Sequence, residues 1–403
     1  MSACRRPAVA LGLLLGLAAA PALAQEARYY REGRHLVHEL AGTIPATPRI
    51  RVAADLGAVE VEGAPGGEVR YRIRVRVAAR DDSEGRRLLD GLLVSASRRG
   101  DELLFQGQAT RPDAGRGLSA EFHLTVPAAT RHLEVATGAG DVRARGVLGT
   151  CSLTTRGGAI GAEDLGGSLR AETRGGSIEV GRVGGEAALS TAGGGVRLAA
   201  AGGGVTAQTS GGDVVLGRAG GDVRAQTGGG NISIEEAAGS VVVETSGGNI
   251  EVGRAAGKVS AATAGGSIRV ASARGGAHCE TAAGPIDIGS VEGPIRAVTS
   301  AGSIRAVVIR GRAAFSDSSL EAWQGDVTIV LPDALPLTIR ALVDNPAGHP
   351  IRSEFPLTIT RDTEVAGRPM EIAEGSIGGG GSLLKVRTLG GNIVILKAKN
   401  SNP

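Results

Sequence analysis

The sequence predicts an all-β chain: a parallel β-solenoid of 18-residue, two-strand coils with a small N-terminal α+β cap and an irregular β C-terminal cap. Three observations carry this. A threonine recurs once per repeat at a fixed interval, from Thr137 through Thr155 and Thr173 to Thr299. Two glycine columns travel with it, one from Gly140 to Gly302 and one from Gly149 to Gly311, which divide each unit into two equal halves. Within each half, apolar residues stand two apart, as in Ile232 and Ile234, then Val241 and Val243. Ten copies in register mean stacked units, and a spacing of two means strands with one buried face.

Along the chain, residues 1–24 read as a signal peptide: Arg5 and Arg6, an apolar run Ala8–Ala20, then Pro21-Ala22-Leu23-Ala24 as a small-residue cleavage site. About thirteen apolar residues are too few to span a bilayer, and no transmembrane segment is expected in the mature chain. Residues 25–131 form the N-terminal capping region. It contains one outlying coil, with Ile50, Val52, Gly57, Val59, Val61, Ala64 and Gly66 on the repeat offsets. Val69–Val77 alternates apolar residues with arginine, which predicts a strand with one charged face. Asp82–Leu93 predicts a short helix despite Gly85 and Gly91. Leu92–Ser97 and Glu102–Gln106 predict a hairpin around Arg99-Gly100, and Glu121–Val126 a further strand.

Residues 132–316 are the regular solenoid. Its glycines are assigned to turns that need positive φ or a sharp bend. A small apolar position (Val183, Ala201, Ala219, Ala237, Ala255, Ala273) fills a corner of each coil, and no aromatic residue occurs between Phe122 and Phe315. The resulting core is thin, so stability must accumulate by stacking. In residues 317–403 the register fails, with Asp317 standing where threonine is due. Asp326–Leu331 and Leu337–Val343 are expected strands and Glu374–Gly381 a glycine-rich loop. Leu384, Val386, Thr388, Gly391, Ile393 and Ile395 rebuild one final coil. Trp323, the single tryptophan, is expected to plug the end of the core.

Taken together, a strand ending in Val126-Pro127, the repeated Thr-x-Gly-Gly-x-Ile-x-Val, the run Gly325-Asp326-Val327-Thr328-Ile329-Val330-Leu331-Pro332 and a closing Leu-x-Thr-x-Gly-Gly-x-Ile-x-Ile resemble the "putative adhesin" family. That family comprises exported bacterial β-solenoid proteins classed as a domain of unknown function. The resemblance covers about residues 45–397 and implies an envelope or extracellular location: periplasm, cell surface or medium. It brings no catalytic residues with it.

Composition narrows the chemistry. A net charge of +3 on 403 residues implies no nucleic-acid partner. Lysine occurs only at 258, 385, 397 and 399, leaving arginine as forty of the 44 basic residues. Cys151 and Cys279 fall on inward offsets seven coils apart, too far to pair, and read as buried thiols.

The threonine column shares parity with apolar neighbours and so points inward, which argues against an ice-binding face. The turn position after the first glycine column holds Asp213, Asn231 and Asn249 in succession, which a stacked side-chain ladder explains without calcium. His278 and Glu280 share an outer face as a solvated pair. No metal, cofactor or catalytic set is expected, and the chain is read as a non-enzyme. The alternative is a carbohydrate-active β-helix enzyme, which would need clustered carboxylates. Expected partners are envelope or surface polysaccharide or another envelope protein. The candidate contact surface is Arg70, Arg72, Arg74 and Arg76, four like charges on one strand face suited to an anionic polymer. The bland alternative is a solvated, charge-protected sheet edge.

Overall fold

The computed structural model describes residues 24–111, 117–311, 315–333, 335–346, 348–362 and 369–398. Nearly all of the expected signal peptide thus lies outside the described residues. The protein is a β-solenoid with 18-residue coils. From β9 (His132–Thr137) to β28 (Ile304–Val308), twenty strands alternate between two parallel sheets, A and B. Each pairs with its counterpart one repeat on, so that Ile232 lies opposite Ile250 in sheet A and Val223 opposite Val241 in sheet B. One coil shows how the core is filled. Ile232 and Ile234 from sheet A, Val241 and Val243 from sheet B, and Ala237 at the corner are all buried, while Ser233, Val242 and Glu244 face outward. The small inward residues let the sheets approach closely, and neighbours in the stack must cover each coil's faces.

The threonine column ties these coils together. Thr245 Oγ1 donates to the carbonyl oxygen of Gly230 in the preceding coil at 2.9 Å and accepts from the N–H of Gly248 in its own turn at 3.3 Å. The same donation runs from Thr155 to Thr299 without a gap. The glycine column beside it is required by close approach and not by backbone sign. From Gly158 to Gly302 no member of that column has a positive φ, which corrects part of the turn expectation. A Cβ on Gly230 would instead stand less than 3.0 Å from the carbonyl of Gly212, and every member of the column from Gly158 to Gly302 meets its predecessor in the same way.

The two ends are built alike. At the N-terminal end lie β1 (Ala24–Glu32), β2 (His35–Pro45), β3 (Arg49–Ala54), β4 (Ala58–Ala64), β5 (Glu68–Ala78), α1 (Asp82–Leu89), β6 (Leu92–Arg99), β7 (Glu102–Ala109) and β8 (Leu118–Pro127). The outlying coil, β3 and β4, stacks directly on the array. Val59 lies opposite Val142, far beyond the single repeat that separates partners inside the array. The segment between them folds back to the outside, with β7 parallel to β3 and β8 parallel to β4. Beyond β8, sheet A continues antiparallel through β5 and β2 to β1, and β6 continues sheet B.

Helix α1 packs on β2 and β5. Asp81 caps it by accepting the Glu84 N–H, and it stops at Leu89, short of the expected Leu93, because β6 begins at Leu92. Gly85, unfavourable for a helix, is where α1 meets Leu36 of β2; a Cβ there would collide with that side chain. Tyr71, Phe105 and Phe122 fill this wider end of the core.

The C-terminal end comprises β29 (Ser318–Gln324), β30 (Val327–Leu331), β31 (Leu337–Val343), β32 (Ile351–Ser353), β33 (Thr358–Asp362), β34 (Met370–Ile377), β35 (Ser382–Gly390) and β36 (Ile393–Lys397). The 18-residue register breaks after Gly311, but the stacking continues. Ile304 lies opposite Val327, so the coil persists with a short insertion in one turn. The final coil, β35 and β36, stacks on β29 and β30, with Val327 opposite Ile393 across a long excursion of the chain. The intervening β31 and β32 lie on its far side, and β34 and β33 extend sheet B antiparallel. Glu374–Gly381 is therefore half strand, ending β34 at Ile377, and Gly378, Gly379 and Gly380 turn with positive φ. Trp323 does not plug the core. It stands on the outer face of β29, 62% exposed.

Candidate binding surface

The four arginines lie on β5, which is flanked on both sides, by β2 and by β8. They are not an edge. Their side chains alternate with the buried Val69, Tyr71, Ile73, Val75 and Val77 and project from the outer face of sheet A. What each meets is set by register. Arg74 lies opposite Glu39 of β2, and its guanidinium donates to Tyr30 Oη at 2.9 Å and pairs with Glu32. Glu39 is buried, also accepting from Arg28 and, at 2.9 Å, from Tyr30. Burial pushes its carboxyl up, but those hydrogen bonds and the charges of Arg28 and Arg72 outweigh that and hold it below the usual range. Arg76 pairs with Glu121 of β8.

Arg70 and Arg72 differ. Both are exposed, and among the described residues neither has a carboxylate within ion-pair distance. Arg70 is flanked in register by Thr43 and Thr125, and Arg72 by Ala41 and His123. Beside the small outward Ala41 lies an open depression of about 540 Å3, lined also by Glu26 of β1, which stands opposite Ala41. The four arginines therefore divide into two that are ion-paired and two that are not. The alternation of β5 was visible in the sequence, but this division was not.

A larger concavity runs along the outer face of sheet B. It has a volume of about 930 Å3 and crosses nine stacked strands from Glu102 to Val242, lined by charges of both signs including Arg49, Glu134, Arg170, Glu186 and Arg224. Several outward carboxylates of the array are paired with arginine. Asp164 pairs with Arg182, Glu236 with Arg254 and Asp287 with Arg269, each one coil apart. Asp213, Asn231 and Asn249 accept the backbone N–H groups of Asn231, Asn249 and Ser267 at 2.7–2.9 Å, forming a ladder up the turn. Among the described residues, no group of three or more His, Cys, Asp or Glu side chains is placed to hold a metal.

His278 is half-buried between Ser260 and Arg296, and burial, with the charges of Arg296 and Lys258, lowers its pKa. Cys151 and Cys279 are buried and free, and burial pushes each thiol up to about 12, which makes them inert at neutral pH. No helix among the described residues is long and apolar enough to cross a membrane.

No family model matches the sequence, and no curated protein matches it. Solved structures are similar over most of the chain. A putative cell adhesion protein from Clostridium sporogenes is 8% identical with a TM-score of 0.18, covering 89% of this chain and 99% of its own. A putative adhesin from Bacteroides fragilis is 10% identical with a TM-score of 0.22, covering 89% and 97%. A putative lipid binding protein from Parabacteroides distasonis is 11% identical with a TM-score of 0.23, covering 68% and 91%.

Proposed function

We propose that the protein is an exported, non-enzymatic, adhesin-like solenoid that serves as an interaction module or scaffold of the cell envelope or surface. The observation that carries this reading is the open groove across nine strands of sheet B. Its length and mixed charge suit an extended polymer such as a surface polysaccharide, which would be held by many weak, repeated contacts. Small-molecule sites, in contrast, enclose most of their ligand.

The test has two arms. Purified protein is co-sedimented with envelope material and incubated with acidic and neutral polysaccharides. Retention without product release is the expected result. Product release abolished by a single outward Asp or Glu substitution would overturn the reading.

A further inference from the structure

Sheet A carries a charge imbalance on its outer N-terminal face that nothing in the fold requires. Of the four arginines on β5, Arg74 and Arg76 meet carboxylates from three neighbouring strands, β1, β2 and β8. Arg70 and Arg72 do not, although Glu39 feels the charge of Arg72. The two sit at i and i+2 on one strand face, roughly 7 Å apart. Thr43 and Thr125 stand on either side of Arg70, one strand spacing of about 4.8 Å away.

Two guanidiniums and two hydroxyls therefore line one open depression, floored where the outward Ala41 presents only a methyl group beside Arg72. His123, beside Arg72, is held by Glu60, with Nδ1 at 3.1 Å from its carboxylate, so the wall on that side is itself satisfied. Two exposed guanidiniums that form no ion pair match a dianion better than a single carboxylate. Four donor groups likewise match a ligand with three terminal oxygens better than one with two. Glu26 also lines the depression, across Ala41 from Arg72, and none of the lining side chains is an exposed large hydrophobe that could enter a lipid layer.

We propose that Arg70, Arg72, Thr43 and Thr125 form a discrete site for the phosphate monoester group of a phosphorylated glycan. This deepens the reading of the protein as an envelope interaction module by naming one ligand chemistry and the residues that take it. The site lies on the sheet opposite the long groove, so the two can be tested apart.

Calorimetric titration with glucose 6-phosphate, at low and at physiological salt, tests the proposal, with glucose and galacturonate as comparators. Saturable binding of the sugar phosphate is expected, weakened by salt because exposed charges are screened within about 8 Å. Glucose should give no heat, and galacturonate should bind at least about tenfold more weakly. Arg70→Gln with Arg72→Gln should lower affinity about tenfold or more while the cooperative melt is retained. Arg197→Gln with Arg305→Gln, two exposed arginines elsewhere on the same sheet face, should leave it within about twofold.

Should the first pair disturb folding, Thr43→Ala and Arg72→Gln tested singly must each weaken binding. Absence of sugar phosphate binding at low salt overturns the site, as does equal binding by the Arg70/Arg72 variant. Retention on phosphatidic acid vesicles that sugar phosphate does not displace would assign the charge pair to a lipid headgroup and overturn the glycan. Where the sugar phosphate titration overturns the site, envelope co-sedimentation that persists in the Arg70/Arg72 variant leaves the interaction-module reading standing.

Discussion

Gly230 and Gly229 are neighbours in the same turn with opposite constraints. A Cβ on Gly230 would enter the carbonyl of the coil below, whereas one on Gly229 meets nothing within 4 Å. Gly230→Ala should therefore cost roughly 1–3 kcal/mol, as overpacking does, and Gly229→Ala within about 0.5 kcal/mol, as open surface positions do. Denaturant midpoints decide it, and equal shifts would mean that coil spacing does not set the glycine column. Thr245→Val keeps the shape and removes the hydroxyl that bridges Gly230 and Gly248. With a buried N–H and carbonyl each losing that partner, about 1–3 kcal/mol should go. The glycine columns were plain in the sequence because spacing is a sequence property. Their reason was not, since φ and the distance to the next coil appear only in three dimensions.

Among the elements, the β1–β2 hairpin is where sequence reading was weakest, and neither strand was anticipated. In β2 the outward Val37 and Glu39 are buried along with the inward Leu36 and Leu40, so the two-residue alternation that marks a half-buried strand is erased. The Glu39 cluster that causes this also makes a pH prediction. Its carboxyl is held below the ordinary range, so its contribution is complete above the ordinary value of about 4.3. It is lost as pH falls through the lower, folded value. Hydrogen exchange in β1 and β2 should accelerate selectively in acid relative to the array strands, and Glu39→Gln should flatten that difference. Uniform protection at all pH values would contradict it. Trp323 supplies another check. Exposed on β29, it should emit at the wavelength of a water-solvated indole and be quenched by iodide, with little further red shift on unfolding. A blue, quencher-resistant emission would restore the core plug.

At the scale of the molecule, the repeat itself was fully legible, because one inward pair per half coil persists over ten copies. Stack order was not. Sequence adjacency places β5–β8 between the first coil and the array, but the structure puts them outside it. Pairs such as Val59 with Val142 and Val327 with Ile393 are separated by whole subdomains and leave no periodic trace. The one-dimensional character of the array predicts that deleting residues 211–228, a whole repeat, preserves a cooperative melt with a modest loss of stability. Deleting 220–228 removes one strand and leaves the coil unable to complete its circuit. It should abolish cooperative melting of the neighbouring coils, as circular dichroism against temperature would register.

The lodging of β35 and β36 between earlier strands has a consequence for how the molecule is completed. During synthesis, the layer formed by β31 and β32 emerges before the layer on which it rests. Until Ser382–Lys397 arrives, β29 and β31 have no shared neighbour, and the gap between them corresponds to two strand spacings, about 9.6 Å. A chain cut before Ser382 would thus lose an inner storey and keep its roof detached. The last strands act as a keystone, and closure of that end reports that the message was read through to them.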